Sequence, residues 1–262
     1  MPEGHTLHRL ALEMAELVGS VVSASSPQGR FAADAVDGQR LTGVEAYGKH
    51  LLIDIADGNS VHVHLGMRGK WLRFSPVTGP GLPQVRLRLA VRDVAWDLIA
   101  PSTCELLDVQ AQSALIAGLG PDPLRPEADQ DEAYRLVTAH PGSIGAALLD
   151  QSRIAGVGNV FRAEVLHGMG MPPTRPARSV TADEFAGLWE RLQAMMTRAV
   201  ADGRIITVES EDRVALPESE SRRVYKREQC YDCGTPIVTD TIEGRTTYAC
   251  PRCQPDWVGD VA

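Results

Sequence analysis

The residues at the start of the chain could carry out carbonyl chemistry, because a proline follows the initiator methionine. If Met1 is removed, the Pro2 nitrogen becomes a free secondary amine. The pKa of an unperturbed α-amino group is about 8, so part of such an amine is neutral at pH 7 and able to form a Schiff base with a carbon electrophile. The carboxyl group of Glu3 could move the proton that this chemistry requires. A solvated tail is the alternative interpretation of these two residues.

Four of the five cysteines form two CxxC pairs with sixteen residues between them, at Cys230, Cys233, Cys250 and Cys253. This spacing is typical of four thiolates around one tetrahedral Zn²⁺ ion. Disulfides are the alternative, but nothing in the sequence indicates an oxidising compartment. Four thiolates leave no position for water, so we predict a structural and not a catalytic ion. The remaining Cys104 is predicted to be a small core residue.

Composition limits the classes of function. The chain has 262 residues, 44% of them hydrophobic, and a net charge of −8, which fits a globular protein but argues against a general polyanion binder. The region from Arg222 to Cys253 nevertheless holds six basic residues against four acidic ones, as expected of a face presented to a polyanion or of a solvated loop. No export signal or membrane-spanning run is recognisable, so we expect a cytoplasmic, nucleoid-associated protein without a membrane partner.

The first half of the chain predicts one helix and then a β domain. Apolar residues recur at helical spacing from Leu7 to Val18, and this helix could fix residues 2 and 3 in place. Short alternating segments separated by Gly and Pro clusters fill the region from Val21 to Asp108, which predicts an antiparallel sandwich. His62 and His64 share one strand face. They suggest either a metal site or, as we favour, polar residues on an outward face.

The second half is predicted to be helical from Val109, with helices at Val160 to His167 and Thr181 to Ala201, where Thr181 and Glu184 form a capping box. The glycines before Asn159 would let a phosphate approach the start of the first of these helices, although an ordinary corner between helices is the alternative. The acidic segment 206–221 is predicted to be a linker or a mobile binding loop. A small zinc hairpin completes the order of elements.

Several motifs occur together in one order, namely Pro2-Glu3-Gly4, Gly48-Lys49-His50, Leu149-Asp150-Gln151 with Gly156-Val157-Gly158-Asn159, and Arg245 within the cysteine region. In these motifs the chain resembles the bifunctional DNA glycosylases of the formamidopyrimidine-DNA glycosylase and endonuclease VIII family, from Pro2 to about Gln254. The resemblance implies an α+β fold with a β-sandwich led by a helix, a helix-two-turns-helix domain and a zinc-finger hairpin, with DNA between the two halves. The corresponding domains would be residues 1–112, 113–221 and 222–262.

The resemblance also implies a role for each site residue. Pro2 would attack the anomeric carbon of a damaged nucleoside, displace the base and leave a Schiff base, while Glu3 would protonate the sugar ring oxygen. Elimination at the 3′ and then the 5′ side would cut the strand. Lys49 would hold a phosphate beside the lesion, and Asn159 and Arg245 would grip the same backbone. A cation and two hydrogen-bond donors can fix phosphates without reading sequence.

The loop Gly66-Met67-Arg68-Gly69 resembles the family loop that carries an apolar wedge. Met67 would fill the space left by the extruded nucleotide, and a buried core methionine is the alternative. Formamidopyrimidine-type members usually carry an Arg-Arg-Phe-Gly segment, which the comparable region Asp97 to Glu105 lacks. This departure favours the endonuclease VIII branch, which mainly removes oxidised pyrimidines. His5 and the stretch from Ile99 to Glu105 resemble actinobacterial members.

We therefore expect a monomeric base-excision repair enzyme, a glycosylase and abasic-site lyase, that acts on damaged DNA in duplex, bubble or single-stranded form and contains one structural Zn²⁺. The alternative is a non-catalytic zinc-ribbon protein that recognises damaged DNA. A third alternative, a zinc-dependent nucleobase deaminase, fits poorly, because the HxE and PCxxC signatures are missing and a zinc ion bound by four thiolates cannot activate water.

Overall fold

The computed structural model describes residues 2–259. The chain divides into two compact units, of which the first ends at Gly118 and the second begins at Leu119. No helix within residues 2–259 is both long enough and apolar enough to cross a membrane.

The first unit is a sandwich of two antiparallel sheets led by helix α1, Gly4–Met14, whose residues Leu7, Leu10 and Met14 are buried. One sheet has the strand order β1-β6-β7-β5 and the other β2-β3-β4-β8. The eight strands are β1 Ser23–Ser25, β2 Leu41–Tyr47, β3 His50–Ile55, β4 Ser60–His64, β5 Lys70–Phe74, β6 Val85–Val91, β7 Val94–Ile99 and β8 Thr103–Leu107. Helix α2, Val109–Ala117, ends the unit. The predicted sandwich and leading helix are therefore confirmed.

A two-residue turn connects β2 and β3. Tyr47 pairs with His50, so that only Gly48 and Lys49 lie between the strands. Gly48 has a φ of 57°, a left-handed conformation that glycine adopts without strain. This tight turn places Lys49 at the tip of the hairpin and His50 at the start of β3.

The second unit consists of helices and a terminal hairpin. Its helices are α3 Gln130–Thr138, α4 Ile144–Ala147, α5 Asn159–Gly168 and α6 Ala182–Asp202. The hairpin strands are β9 Val238–Ile242 and β10 Arg245–Ala249, which pair antiparallel. Residues 160–167 of α5 are all buried, so this helix forms the centre of the core.

Two predicted features of the helices, the capping box of α6 and the start of α5, agree with the structure. Thr181 caps α6, and the capping box with Glu184 is present. The start of α5 at Asn159 lies one residue before the predicted start. Within segment 206–221 the described backbone forms only a short 3₁₀ turn, Arg213–Ala215. The three-domain division stays a prediction.

Candidate functional site

Glu3 occupies the N-cap position of α1, with an extended backbone at φ −126° and ψ −177°. Its carbonyl accepts a hydrogen bond of 2.9 Å from the Thr6 N–H. The residue is only 1% exposed, whereas Pro2 is half-buried. The helix that begins at once therefore fixes a buried carboxyl group next to the Pro2 nitrogen in the chain.

Next to Lys49, a chain of hydrogen bonds runs through two histidines. His50 Nδ1 lies 2.9 Å from His62 Nε2, and His62 Nδ1 lies 2.9 Å from a carboxylate oxygen of Glu105. A carboxylate only accepts, so we infer that His62 carries its proton on Nδ1 and accepts from His50 through Nε2. His62 is only 4% exposed. The prediction of an outward, solvated face was therefore wrong for this residue, since β3 and β8 place His50 and Glu105 against it.

Two histidines of this cluster, His50 and His64, have a lowered pKa and are neutral at pH 7. Burial, with further contributions from His62, His64 and Lys49, lowers the pKa of His50 to about 4. Burial and the charge of Lys49 likewise lower the pKa of His64. The positive charge of Lys49 therefore lies beside the uncharged imidazoles of His50 and His64.

The loop between β4 and β5 carries Met67, which is 73% exposed. The structure thus rules out the alternative of a buried core methionine. Gly66 and Gly69 shape this loop, since a Cβ on Gly69 would lie 2.3 Å from the Leu65 carbonyl oxygen and one on Gly66 2.8 Å from the Ser102 side chain. The role of Met67 as a wedge stays a prediction.

The second unit brings together the two predicted phosphate-gripping segments. Asn159 is the first residue of α5, and its side-chain Nδ2 donates to the carbonyl of Thr246 at 2.9 Å. Thr246 directly follows Arg245, the exposed first residue of β10. The start of the helix and the start of the strand are therefore tied by a side chain.

The sequence comparisons place the chain in a family. A model of the formamidopyrimidine-DNA glycosylase N-terminal domain matches residues 1–98, and a model of the H2TH domain of the same enzymes matches residues 119–210. The protein named Endonuclease 8 1 of Mycobacterium tuberculosis is 42% identical over 267 residues, which cover 97% of this chain and 100% of that protein. The chain belongs to the formamidopyrimidine-DNA glycosylase family.

Two further comparisons agree with this membership. The probable endonuclease 8 2 of Streptomyces coelicolor is 32% identical over 97% of this chain and 94% of its own length. The crystal structure of Lactococcus lactis Fpg with DNA that contains N7-benzyl-Fapy-dG has a TM-score of 0.79 at 22% identity, and it covers 97% of this chain and 100% of that one. At that identity the likeness concerns the fold. As a member of this family of base-excision enzymes, the chain is a DNA glycosylase and abasic-site lyase.

The four cysteines of this family member could bind one metal ion. Their sulfur atoms all lie within 4.8 Å of one another, and three pairs are separated by 3.4, 3.5 and 3.9 Å. Zn–S bonds of about 2.3 Å in a tetrahedron require sulfur–sulfur distances of about 3.8 Å. His167 Nε2 lies 3.4 Å from the sulfur of Cys230, where an N–H would orient a thiolate ligand. The donor set therefore fits Zn²⁺.

Sequence reasoning missed Glu164, a buried residue of α5 that is 2% exposed. Its carboxylate accepts from the backbone N–H groups of Arg223, Val224 and Tyr225 at 2.8, 3.0 and 2.8 Å, and also from the hydroxyl of Thr207. One side chain thus fixes the segment that leads into the first cysteine pair of this family member. The available signal was a charged residue directly between two apolar ones, Ala163 and Val165, since a charge is rarely buried unless it is paired.

Proposed function

We propose that the chain removes oxidised bases, mainly pyrimidines, from damaged DNA through a Schiff base at Pro2, and then cleaves the abasic site by β,δ-elimination. The observation that carries this proposal is the buried carboxyl of Glu3 held by α1 next to Pro2. A proton donor at this position suits an amine that attacks a sugar carbon.

In the proposed reaction the Pro2 amine, after removal of Met1, attacks the anomeric carbon. The bond to the base breaks, its electron pair leaves with the base, and the base takes up the proton that the attacking amine loses. Glu3 donates a proton to the sugar ring oxygen, which opens the ring and leaves a cationic iminium. This cation is an electron sink, so a proton is lost from C2′ and the 3′ phosphate leaves. A second elimination releases the 5′ phosphate, and water then frees Pro2.

The remaining residues would hold the DNA. Lys49 would bind a phosphate beside the lesion, and Asn159 and Arg245 would bind the same backbone. The exposed Met67 would occupy the space from which the nucleotide is extruded. We also propose one structural Zn²⁺ at the four cysteines, which would brace the hairpin that carries Arg245.

The preference for pyrimidines is supported by the short connection between β7 and β8. Only residues 100–102 lie between Ile99 and Thr103, and Ala100 has a φ of 49° that tightens this turn. Such a connection has no room for a void-filling Arg-Arg-Phe-Gly segment. Two relatives that match 97% of this chain carry the name endonuclease 8, which agrees with the assignment to this branch.

The proposal is tested by borohydride trapping of untagged protein that has lost Met1. The substrates are duplexes with one abasic site, one 5-hydroxyuracil or one 8-oxoguanine, and the matched control is the same protein with the Pro2 nitrogen blocked by one additional residue. We expect covalent adducts with the first two substrates, and none with the control. A zinc-loaded, folded protein that binds these duplexes without forming an adduct would instead support the non-catalytic damage-binding alternative.

A further inference from the structure

The largest fully buried side chain is a cation, Arg162 of α5, which is 1% exposed. Arginine is almost never fully buried unless its charge is compensated. One terminal nitrogen of its guanidinium donates to the side-chain oxygen of Asn159 and, at 2.7 Å, to the carbonyl of Thr246. The other donates to the carbonyl of Gly145, at 3.2 Å. A single buried charge therefore joins α4, the start of α5 and strand β10.

The contacts of Arg162 fix the orientation of the Asn159 carboxamide. Asn159 donates from Nδ2 to the same Thr246 carbonyl, at 2.9 Å, so guanidinium, carboxamide and carbonyl form a closed triangle. A rotation of the amide by 180° would place its NH₂ group against the guanidinium donors, which is repulsive. The oxygen of the amide is thus held inward, and a second N–H of Nδ2 remains for a ligand.

The same triangle also sets the position of Arg245. Thr246 is the next residue, and its carbonyl accepts from two side chains of α5. This carbonyl belongs to the peptide between Thr246 and Thr247, so fixing it fixes the backbone of β10 directly after Arg245. The two residues that we propose as phosphate ligands on this unit therefore share one buried anchor.

We propose that Arg162 is a positioning residue for DNA phosphate, which holds Asn159 and Arg245 in one binding arrangement and adds the attraction of its own desolvated charge. This inference rests on the proposed role of Asn159 and Arg245 as phosphate ligands. Arginine suits this task because its planar fork offers five donors in fixed directions and stays charged at every physiological pH. A lysine ammonium is a single point that cannot serve the Gly145 carbonyl and the Asn159–Thr246 pair together.

The test is an equilibrium binding titration of zinc-loaded protein on duplex DNA that contains a tetrahydrofuran abasic analogue, which resists elimination. The variants are Arg162→Met, Arg162→Lys, Asn159→Ala and the double variant Arg162→Met with Asn159→Ala. Arg175→Met is the matched control, because Arg175 is also mostly buried in this unit but forms its ion pair with Glu184 on α6.

We expect Arg162→Met to weaken binding about 10- to 100-fold, as for the loss of a charge-assisted hydrogen bond, and Arg162→Lys to weaken it about tenfold. The double variant should bind no more weakly than the weaker-binding of its two parent variants, because both changes disable the same contact. A merely structural role would not produce this coupling. Arg175→Met should bind within about twofold of the parent protein.

Three outcomes distinguish the possible failures. If Asn159→Ala binds like the parent, the proposed phosphate role of Asn159 is wrong. If Asn159→Ala binds weakly while Arg162→Met binds like the parent, or if the two effects multiply in the double variant, the inference about Arg162 is overturned. Should Arg162→Met not fold, Arg162→Lys decides, and parent-like affinity of this variant would overturn the inference.

Discussion

The buried groups beside the proposed phosphate ligands differ between the two units in whether they can change their protonation state. Beside Lys49 the first unit places His50, and burial lowers the pKa of this imidazole to about 4, so it is neutral at pH 7 but can bind a proton. The second unit buries Arg162 and Glu164 at 1% and 2% exposure. An arginine stays charged at every accessible pH. The difference teaches that the unit proposed to do the chemistry has a buried group that can change its protonation state, whereas the proposed DNA ligands of the other unit are held by the fixed charge of Arg162 and lie near a metal-binding cluster.

Removal of the proton donor in the first unit should have the largest effect. We expect Glu3→Gln to lower the single-turnover rate of base excision by about 10²- to 10⁴-fold, the usual contribution of general acid–base catalysis. Affinity for the tetrahydrofuran duplex should change little, since Gln has the shape of Glu. If this variant excises bases at the rate of the parent, Glu3 is not the proton donor, and the first unit would no longer differ from the second in containing a catalytic proton donor.

Loss of a cysteine should have the opposite pattern. We expect Cys230→Ala to release the metal, loosen the β9–β10 hairpin that carries Arg245 and weaken DNA binding at least about tenfold. The rate of borohydride trapping at saturating DNA should remain close to that of the parent. Metal analysis and binding titrations on the same preparations check this prediction, and undiminished affinity in the metal-free variant would contradict it.

Glu164→Ala measures how much one buried network of hydrogen bonds contributes to the stability of the second unit. This change leaves the three backbone N–H groups of Arg223, Val224 and Tyr225 without their acceptor. Buried donors that lose a partner cost about 1–3 kcal/mol, so we expect the free energy of unfolding of the second unit to fall by about 3 kcal/mol. Amide hydrogen exchange in α6 as a function of urea reports on this unit, and a loss below about 0.5 kcal/mol, typical of surface changes, would show that the carboxylate is dispensable.

The smallest expected effect is the pH dependence of the first unit. The pKa of His50 is about 4 in the folded protein and about 6.5 in an unfolded chain. The unfolded chain therefore binds the proton first as pH falls, and stability is lost between pH 6.5 and 4. For this partly exposed group we expect about 2 kcal/mol.

His50→Gln should remove this part of the loss, as measured by the difference in unfolding free energy between pH 7 and pH 4.5. The groups that face His50 are Lys49, His62 and His64, and His62 is in turn bonded to Glu105. The lowered pKa of His64 acts in the same direction and remains in the variant. If the unfolding free energy changes equally between pH 7 and pH 4.5 in parent and variant, the pKa of His50 does not differ between the folded and unfolded states.

Local patterns in the sequence were sufficient for much of the fold. Helix α1, the capping box of α6 and the spacing of the four cysteines each depend on residues within a short stretch of chain, and all three are present. Cys104, predicted to be a core residue, is half-buried, and burial raises the pKa of its thiol to about 12, which leaves it unreactive.

The polar networks could not be predicted, because their partners are distant in sequence. The contact between His62 and Glu105 depends on the pairing of β4 with β8, which no local pattern specifies. Arg162 and Glu164 bind groups 84 and 59 residues away. Alternation along a strand identifies the face on which His62 lies, but it does not reveal that neighbouring side chains cover that face.

The carboxylate of Glu164 ties the folding of the cysteine-containing segment to helix α5. The segment that enters the cysteine cluster has three successive N–H groups bonded to a helix more than fifty residues earlier. Residues 222–259 transplanted to another scaffold would lack this acceptor, so a chimaera would need α5 as well. We therefore expect the hairpin and α5 to exchange their amide hydrogens as one cooperative unit, and the terminal hairpin is not a detachable finger.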